Sequence, residues 1–106
     1  MQSKCIFQMD YQLSRFARLK VLNLSFNCIS RIENLPSELE ELYLNGNCVN
    51  EVAVSRPVRS LLHLGLSMNK IRQPALATIV KAFPNLFSLD ASFNDLCDLE
   101  VSVTWL

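Results

Sequence analysis

The chain has 106 residues, half of them apolar and 19% charged, with ten basic against ten acidic side chains. A chain of that length supports one core and one domain, burying about two-thirds of the surface its unfolded form exposes. Balanced charge provides no net field to hold nucleic acid or an anionic membrane, and there is no run of about 18 apolar residues to span a bilayer.

The opening segment, MQSKCIFQMDYQLSRFAR, contains no apolar run of signal-peptide length. This predicts a cytoplasmic chain in which Cys5, Cys28, Cys48 and Cys97 are reduced thiols. Leu13 and Phe16 fall where the tail of a preceding structural unit would, as though the chain began inside an array and were a fragment or a shortened isoform. The same segment also has an imperfect helical spacing through Ile6, Phe7, Tyr11, Leu13 and Phe16, which fits an amphipathic capping helix over residues 1–18.

The next element, LKVLNLSFNCI, sets leucines at alternating positions and then places Asn27 where an apolar residue would continue the pattern. Leu22 and Leu24 are two apart and share one face of a strand, so Asn23 points to the other. A short return follows, SRIENLPSE, with Ile32 and Leu35 spaced to face inward and Pro36 ending it, which predicts an extended or 3₁₀ path. The layout then recurs as LEELYLNGNCV. A second return, NEVAVSRPVRS, turns Val52 and Val58 inward, and Pro57 bars a long helix there. After LLHLGLSMNKI comes a longer return, QPALATIVKAFP. Pro74 suits a first helical turn, Leu76, Ile79, Val80 and Phe83 follow helical spacing, and Pro84 stops the segment, so one helix is predicted at about 74–83. The fourth unit, LFSLDASFNDL, has Ala91 in place of a leucine and should be slightly underfilled. Beyond it, Leu96 and Leu99 begin a further return, and residues 102–106 form a ragged apolar end with Trp105 and Leu106.

Aligned on Asn27, Asn47, Asn69 and Asn94, the units repeat at intervals of 20, 22 and 25 residues and read L-x-x-L-x-L/A-x-x-N-x-L/I/V. Periods of this size belong to stacked-coil architectures. The chain must turn after each strand, and backbone groups left there beside the core cost about 1–3 kcal/mol each when unpaired. A carboxamide supplies donors and an acceptor at once. The four asparagines are therefore expected to form an interior ladder that bonds the turn of its own coil to that of the neighbour. Phe26, Met68 and Phe93, each one residue before an asparagine, are expected to fill core along the rim of the turn.

The pattern resembles the leucine-rich repeat family over about residues 13–101, with four repeats within 19–101 and residues 1–18 as a flank or truncated preceding repeat. The segments LSRFARLKVLNLSFN, ENLPSELEELYLNGN and LLHLGLSMNKI are most similar to the short repeats of cytosolic regulators and of ciliary and axonemal proteins. The resemblance implies an α/β fold: an open, right-handed leucine-rich-repeat solenoid with parallel strands on the concave side and irregular returns plus the one helix on the convex side. It also implies a non-enzymatic protein-interaction scaffold in the cytoplasm, in a ciliary or cytoskeletal setting. Two further readings are a regulatory subunit docking on a phosphatase catalytic subunit, and a structural spacer in a larger array.

Stacked strands bring outward side chains into columns: Val21, Glu41, His63 and Ser88; Asn23, Tyr43, Gly65 and Asp90; Ser25, Asn45, Ser67 and Ser92. Tyrosine is enriched in protein interfaces, and Gly65 leaves a notch beside Tyr43. The expected partner-binding residues are Val21, Asn23, Glu41, Tyr43, His63 and Asp90, taking a protein partner and no nucleic acid, membrane or small-molecule substrate. No cofactor, metal or catalytic residue is expected. His63, the one histidine, could form a charged pair with Glu41 or Asp90, but an open sheet is expected to bring no nucleophile within its reach and no pocket around it. Cys28 and Cys48 occupy equivalent positions in adjacent coils, within disulfide range but without the further ligands a metal site needs.

Overall fold

The computed structural model describes residues 5–95 and the backbone of residues 102–104. Expectations for Leu96, Cys97, Leu99, Trp105 and Leu106 lie outside the described residues. Each repeat contributes a three-residue strand: β1 (Val21–Asn23), β3 (Glu41–Tyr43), β5 (His63–Gly65) and β6 (Ser88–Asp90). The alternate strands of the chain, β2 (Arg31–Ile32) and β4 (Glu51–Val52), lie in the first two returns, and α1 (Gln73–Ala82) fills the third.

The strands β1, β3, β5 and β6 pair in parallel, with Leu22 opposite Leu42, Leu42 opposite Leu64 and Leu64 opposite Leu89. One inward row of leucines thus runs through all four repeats. Leu42, Leu64 and Leu89 are buried, as are Leu39, Leu44, Leu61, Leu66 and Leu86, and Ala91 is buried in the fourth repeat. From the return side, Ile32, Ile79 and Phe83 close the core, and Val52, Val58 and Leu76 pack against it. This α/β arrangement is the one that the alternation of apolar and polar residues specifies.

The asparagine ladder forms as its chemistry requires. Asn47 donates from Nδ2 to Leu44 O in its own coil and to Leu24 O in the preceding one, both at 3.0 Å, while its Oδ1 accepts from Ile29 N–H at 3.0 Å. Asn69 does the same with Leu66 O (3.1 Å), Leu44 O (2.8 Å) and Val49 N–H (2.8 Å). Asn94 repeats it with Ala91 O (2.9 Å), Leu66 O (2.8 Å) and Ile71 N–H (2.8 Å). Each amide therefore satisfies turn groups in two coils at once, and because Leu24 O, Leu44 O and Leu66 O each accept from two of the asparagines, the group that depends on one amide alone is the preceding coil's N–H.

Four sequence expectations change. The returns of the first two repeats are not merely extended: β2 and β4 pair in parallel as a separate two-stranded sheet, with Arg31 over Glu51 at 3.3 Å. The helix spans Gln73–Ala82 with Pro74 in its first turn, but Val80 is exposed. Helical spacing alone could not separate the two edges of the apolar stripe. Among the described residues no long helix forms at the start. Residues 5–9 contain no helix, Asp10 caps a short 3₁₀ helix (Tyr11–Arg15), and Met9 is buried in the core with its carbonyl bonded to Asn34 Nδ2 at 2.8 Å. Finally, a fifth strand, β7 (Ser102–Thr104), runs antiparallel beside β6 instead of trailing off. It occupies the open edge of the sheet, where β6 would otherwise present unpaired backbone groups.

Candidate protein-interaction surface

Period-two geometry turns the residues between the leucines to the solvent side of the sheet. The observed register pairs Val21 with Glu41, Glu41 with His63 and His63 with Ser88, and alongside them Asn23 with Tyr43, Tyr43 with Gly65 and Gly65 with Asp90. The six residues singled out from sequence therefore occupy two adjacent columns of one surface. Val21, Asn23 and Asp90 are exposed, and Glu41, Tyr43 and His63 are half-buried.

Their bonding differs from one to the next. Tyr43 Oη donates to Glu41 Oε1 at 2.5 Å, and this bond, with desolvation and the carboxylate's charge added, raises the phenol above its ordinary value. The Tyr43 ring lies against Gly65, where an added Cβ would come within 3.0 Å of Cδ1. The notch beside Gly65 is thus occupied by the ring, and a side chain at that position would press on it. Asn23 and Asp90 turn inward along the chain: Asn23 Oδ1 accepts from Ser25 N–H at 3.0 Å, and Asp90 Oδ1 from Ser92 N–H at 3.1 Å and Ser92 Oγ at 2.7 Å. These two close the strand ends as well as facing solvent.

His63 does not pair with either carboxylate. Its Nδ1 bonds Ser88 Oγ at 2.8 Å, and its ring meets Phe87 edge-on, with centroids 5.9 Å apart and planes at 83°. The structure thus corrects the expectation that no hydroxyl nucleophile lies in reach. The register could have revealed it, because His63 and Ser88 share a column. What the pair lacks is surroundings: among the described residues no carboxylate bonds the imidazole, and the nearby N–H groups of His63 and Ser88 are spent on Glu40 O and Leu62 O. Orienting carboxylate and free oxyanion donors are both parts that acyl-transfer chemistry uses.

Phe26, Met68 and Phe93 differ from the expectation set by their hydrophobicity. They are not core filling but are 73%, 46% and 82% exposed, forming an apolar ridge beside the two columns. All three take a left-handed backbone, with φ of 60°, 56° and 57°, and Gly46 holds the equivalent place at φ 71°. The signal was present in Gly46, since a glycine aligned with bulky residues marks a turn that swings the side chain outward. The Phe26 ring covers Gly46, where a Cβ would meet it at 2.5 Å. A separate groove of about 800 Å³ opens between the first two returns, lined by Leu35, Pro36, Val54, Arg56, Pro57 and Val58, and sequence spacing offered no sign of it.

Repeats stacked in register, an asparagine at every turn and an open sheet surface define a stacked repeat array, an architecture whose extended surfaces generally serve protein–protein interaction. Residues 17–55 match the family described as "Leucine Rich repeats (2 copies)", so this stretch carries leucine-rich repeats. The chain is similar to the human protein named leucine-rich repeat-containing protein 43, with 41% identity over 97% of this chain and 17% of that protein. It is also similar to the mouse protein of the same name, with 39% identity over 92% of this chain and 16% of that protein. Mouse fibromodulin is 41% identical over 74% of this chain and 22% of its own length. The chain thus spans about a sixth of the length of the first two relatives. No solved structure matches it. No helix among the described residues is long and apolar enough to cross a membrane.

Proposed function

We propose that the chain is a non-enzymatic scaffold that holds a protein partner on the solvent face of its main sheet, through Val21, Asn23, Glu41, Tyr43, His63 and Asp90. The reading takes the coils as an open, right-handed solenoid with this face on the concave side. The observation that carries it is the fixed Tyr43–Glu41 pair, seated against Gly65 in the middle of the two columns. A rigid aromatic side chain with a polar tip brings contact area at small entropic cost, and such residues dominate interface energetics. The neighbouring ridge of Phe26, Met68 and Phe93 adds apolar surface at the same edge. The proposed setting is cytoplasmic, in a liaison with a ciliary or cytoskeletal assembly, which rests on the resemblance of the repeats to those of ciliary proteins.

The test compares immobilised chain with a Tyr43→Ala, Glu41→Ala double variant for recovery of proteins from ciliated-cell lysate. Loss of a central anchor worth about 2 kcal/mol lowers affinity about 30-fold, so specific partners should fall away from the variant. Equal recovery on both would remove the proposal. Phosphatase activity in the bound fraction would favour a regulatory subunit instead, and absence of any specific partner would favour a spacer.

A further inference from the structure

The ladder extends one step further back than the repeats do. Asn27 Oδ1 accepts from Ile6 N–H at 3.0 Å, as Asn47 does from Ile29 at 3.0 Å and Asn69 from Val49 at 2.8 Å. Ile6 therefore stands where Ile29 and Val49 stand, and the residue before it, Cys5, takes the position of Cys28 and Cys48. The backbone repeats the correspondence: Cys28 N–H donates to Ile6 O and Cys48 N–H to Ile29 O, each at 2.8 Å. Three thiols thus share one column on the flank of the array. All are free; Cys5 and Cys48 are exposed and Cys28 is half-buried.

Neighbours in such a column are about 4.8 Å apart, inside the Cα separation that a disulfide bridges. The side chains run parallel, however, and a disulfide also needs its Cβ atoms drawn to about 3.8 Å. Cys28 and Cys48 lie in consecutive repeats whose turns are both tied by asparagine amides to neighbouring coils. Cys5 lies on a segment outside the repeats, held by the Ile6 bonds and the Met9 anchor. The small approach that a bond requires is easier there. A column of three also fans its sulfurs along a line, and among the described residues no group of three or more metal-binding side chains converges on one point.

We infer that Cys5 and Cys28 form an oxidisable dithiol, whose disulfide ties residues 5–9 to the first repeat while Cys48 stays reduced. The oxidant is a hydroperoxide. The thiolate of exposed Cys5 attacks the peroxide oxygen, an S–O bond forms, the O–O bond breaks and hydroxide leaves, giving a sulfenic acid. Cys28 is protected at first, because its hydrogen bond to Cys5, desolvation and the charges of Cys5 and Cys48 push it up to about 11. Conversion of Cys5 to the uncharged sulfenic acid removes that neighbour's charge. Cys28 then loses its proton and attacks the Cys5 sulfur; the S–S bond forms, and the departing hydroxide leaves with that proton as water. Two thiols and one hydroperoxide yield one disulfide and, for hydrogen peroxide, two waters.

Peptide mapping of the full chain under non-reducing conditions after stoichiometric hydrogen peroxide tests this without any substitution. The expected main product links Cys5 to Cys28, and the Ile6 amide exchanges at least about tenfold more slowly in the linked form. Repeating the reaction with Cys97→Ser and Cys28→Ser together should stop at a dimedone-trappable sulfenic acid on Cys5, whereas Cys97→Ser with Cys48→Ser should give the same link as before. A main product joining Cys28 to Cys48, links only between molecules, or an unaltered loss of two hydrogens' mass in the Cys28→Ser chain would overturn the inference.

Discussion

The first repeat and the two that follow share one sequence pattern but not one environment. In the second and third, every ladder position is buried: Leu39, Leu42, Leu44 and Val49, then Leu61, Leu64, Leu66 and Ile71, with Asn47 and Asn69 only 6% and 5% exposed. In the first, Leu19, Leu22, Leu24 and Asn27 are half-buried and Ile29 alone of the set is buried. The difference lies in what covers each coil. A middle coil has a full neighbour on both faces, whereas among the described residues the first is met on one of them by residues 5–15. Burial in a stacked array is set by the neighbours as much as by the residue, so equal motifs contribute unequally to stability.

Substitutions that probe this contrast are ordered by expected effect. Leu64→Asp puts a charge into the middle of the inward row and removes burial worth about 1.5–3 kcal/mol, so cooperative thermal unfolding should vanish. A retained sharp transition would contradict the register. Next is the ladder itself. Asn47→Leu strands the buried Ile29 N–H, while Leu44 O keeps its bond from Asn69 and Leu24 O its bond from Asn27, and should cost about 1–3 kcal/mol in denaturant titration, with faster amide exchange at residues 45–48. Asn27→Leu likewise strands one N–H, that of Ile6, but at the exposed end of the stack where water can replace the lost bond, so about half that loss or less is expected. Equal costs for the two would show that the coils do not differ as described.

Gly46→Ala forces a side chain into left-handed backbone and against the Phe26 ring, between the first and second coils, for an expected loss of about 1–2 kcal/mol. The smallest effect belongs to the outer return sheet. Arg31→Ala removes an exposed pair with Glu51, and the midpoint of unfolding should move by less than about 0.5 kcal/mol in stability terms.

Which parts were legible follows from how local the information is. The columns Val21–Glu41–His63–Ser88 and Asn23–Tyr43–Gly65–Asp90 could be written down from spacing, because a period of two fixes the face and a repeated asparagine fixes the register. Side-chain partners could not. His63 had two carboxylates and a serine within plausible reach, and the choice of Ser88 and Phe87 depended on rotamers set by packing. Phe26, Met68 and Phe93 were misjudged because hydrophobicity argues for burial, while the left-handed turn that carries them points away from the core. Met9 was missed for the opposite reason: it belongs to no repeat, and only the uncovered face of the first coil explains its burial.

By itself the sequence determined the stack: alternating leucines bury one face, and an amide at each bend satisfies the backbone that turning leaves unpaired, both being properties of residues a few positions apart. Tertiary structure decided which coils are well covered, which hydroxyl the imidazole meets, where the apolar ridge stands, and that a third thiol joins the other two. Those outcomes depend on segments distant in the chain meeting across a coil spacing of about 4.8 Å, and no local pattern encodes which atoms will face each other there.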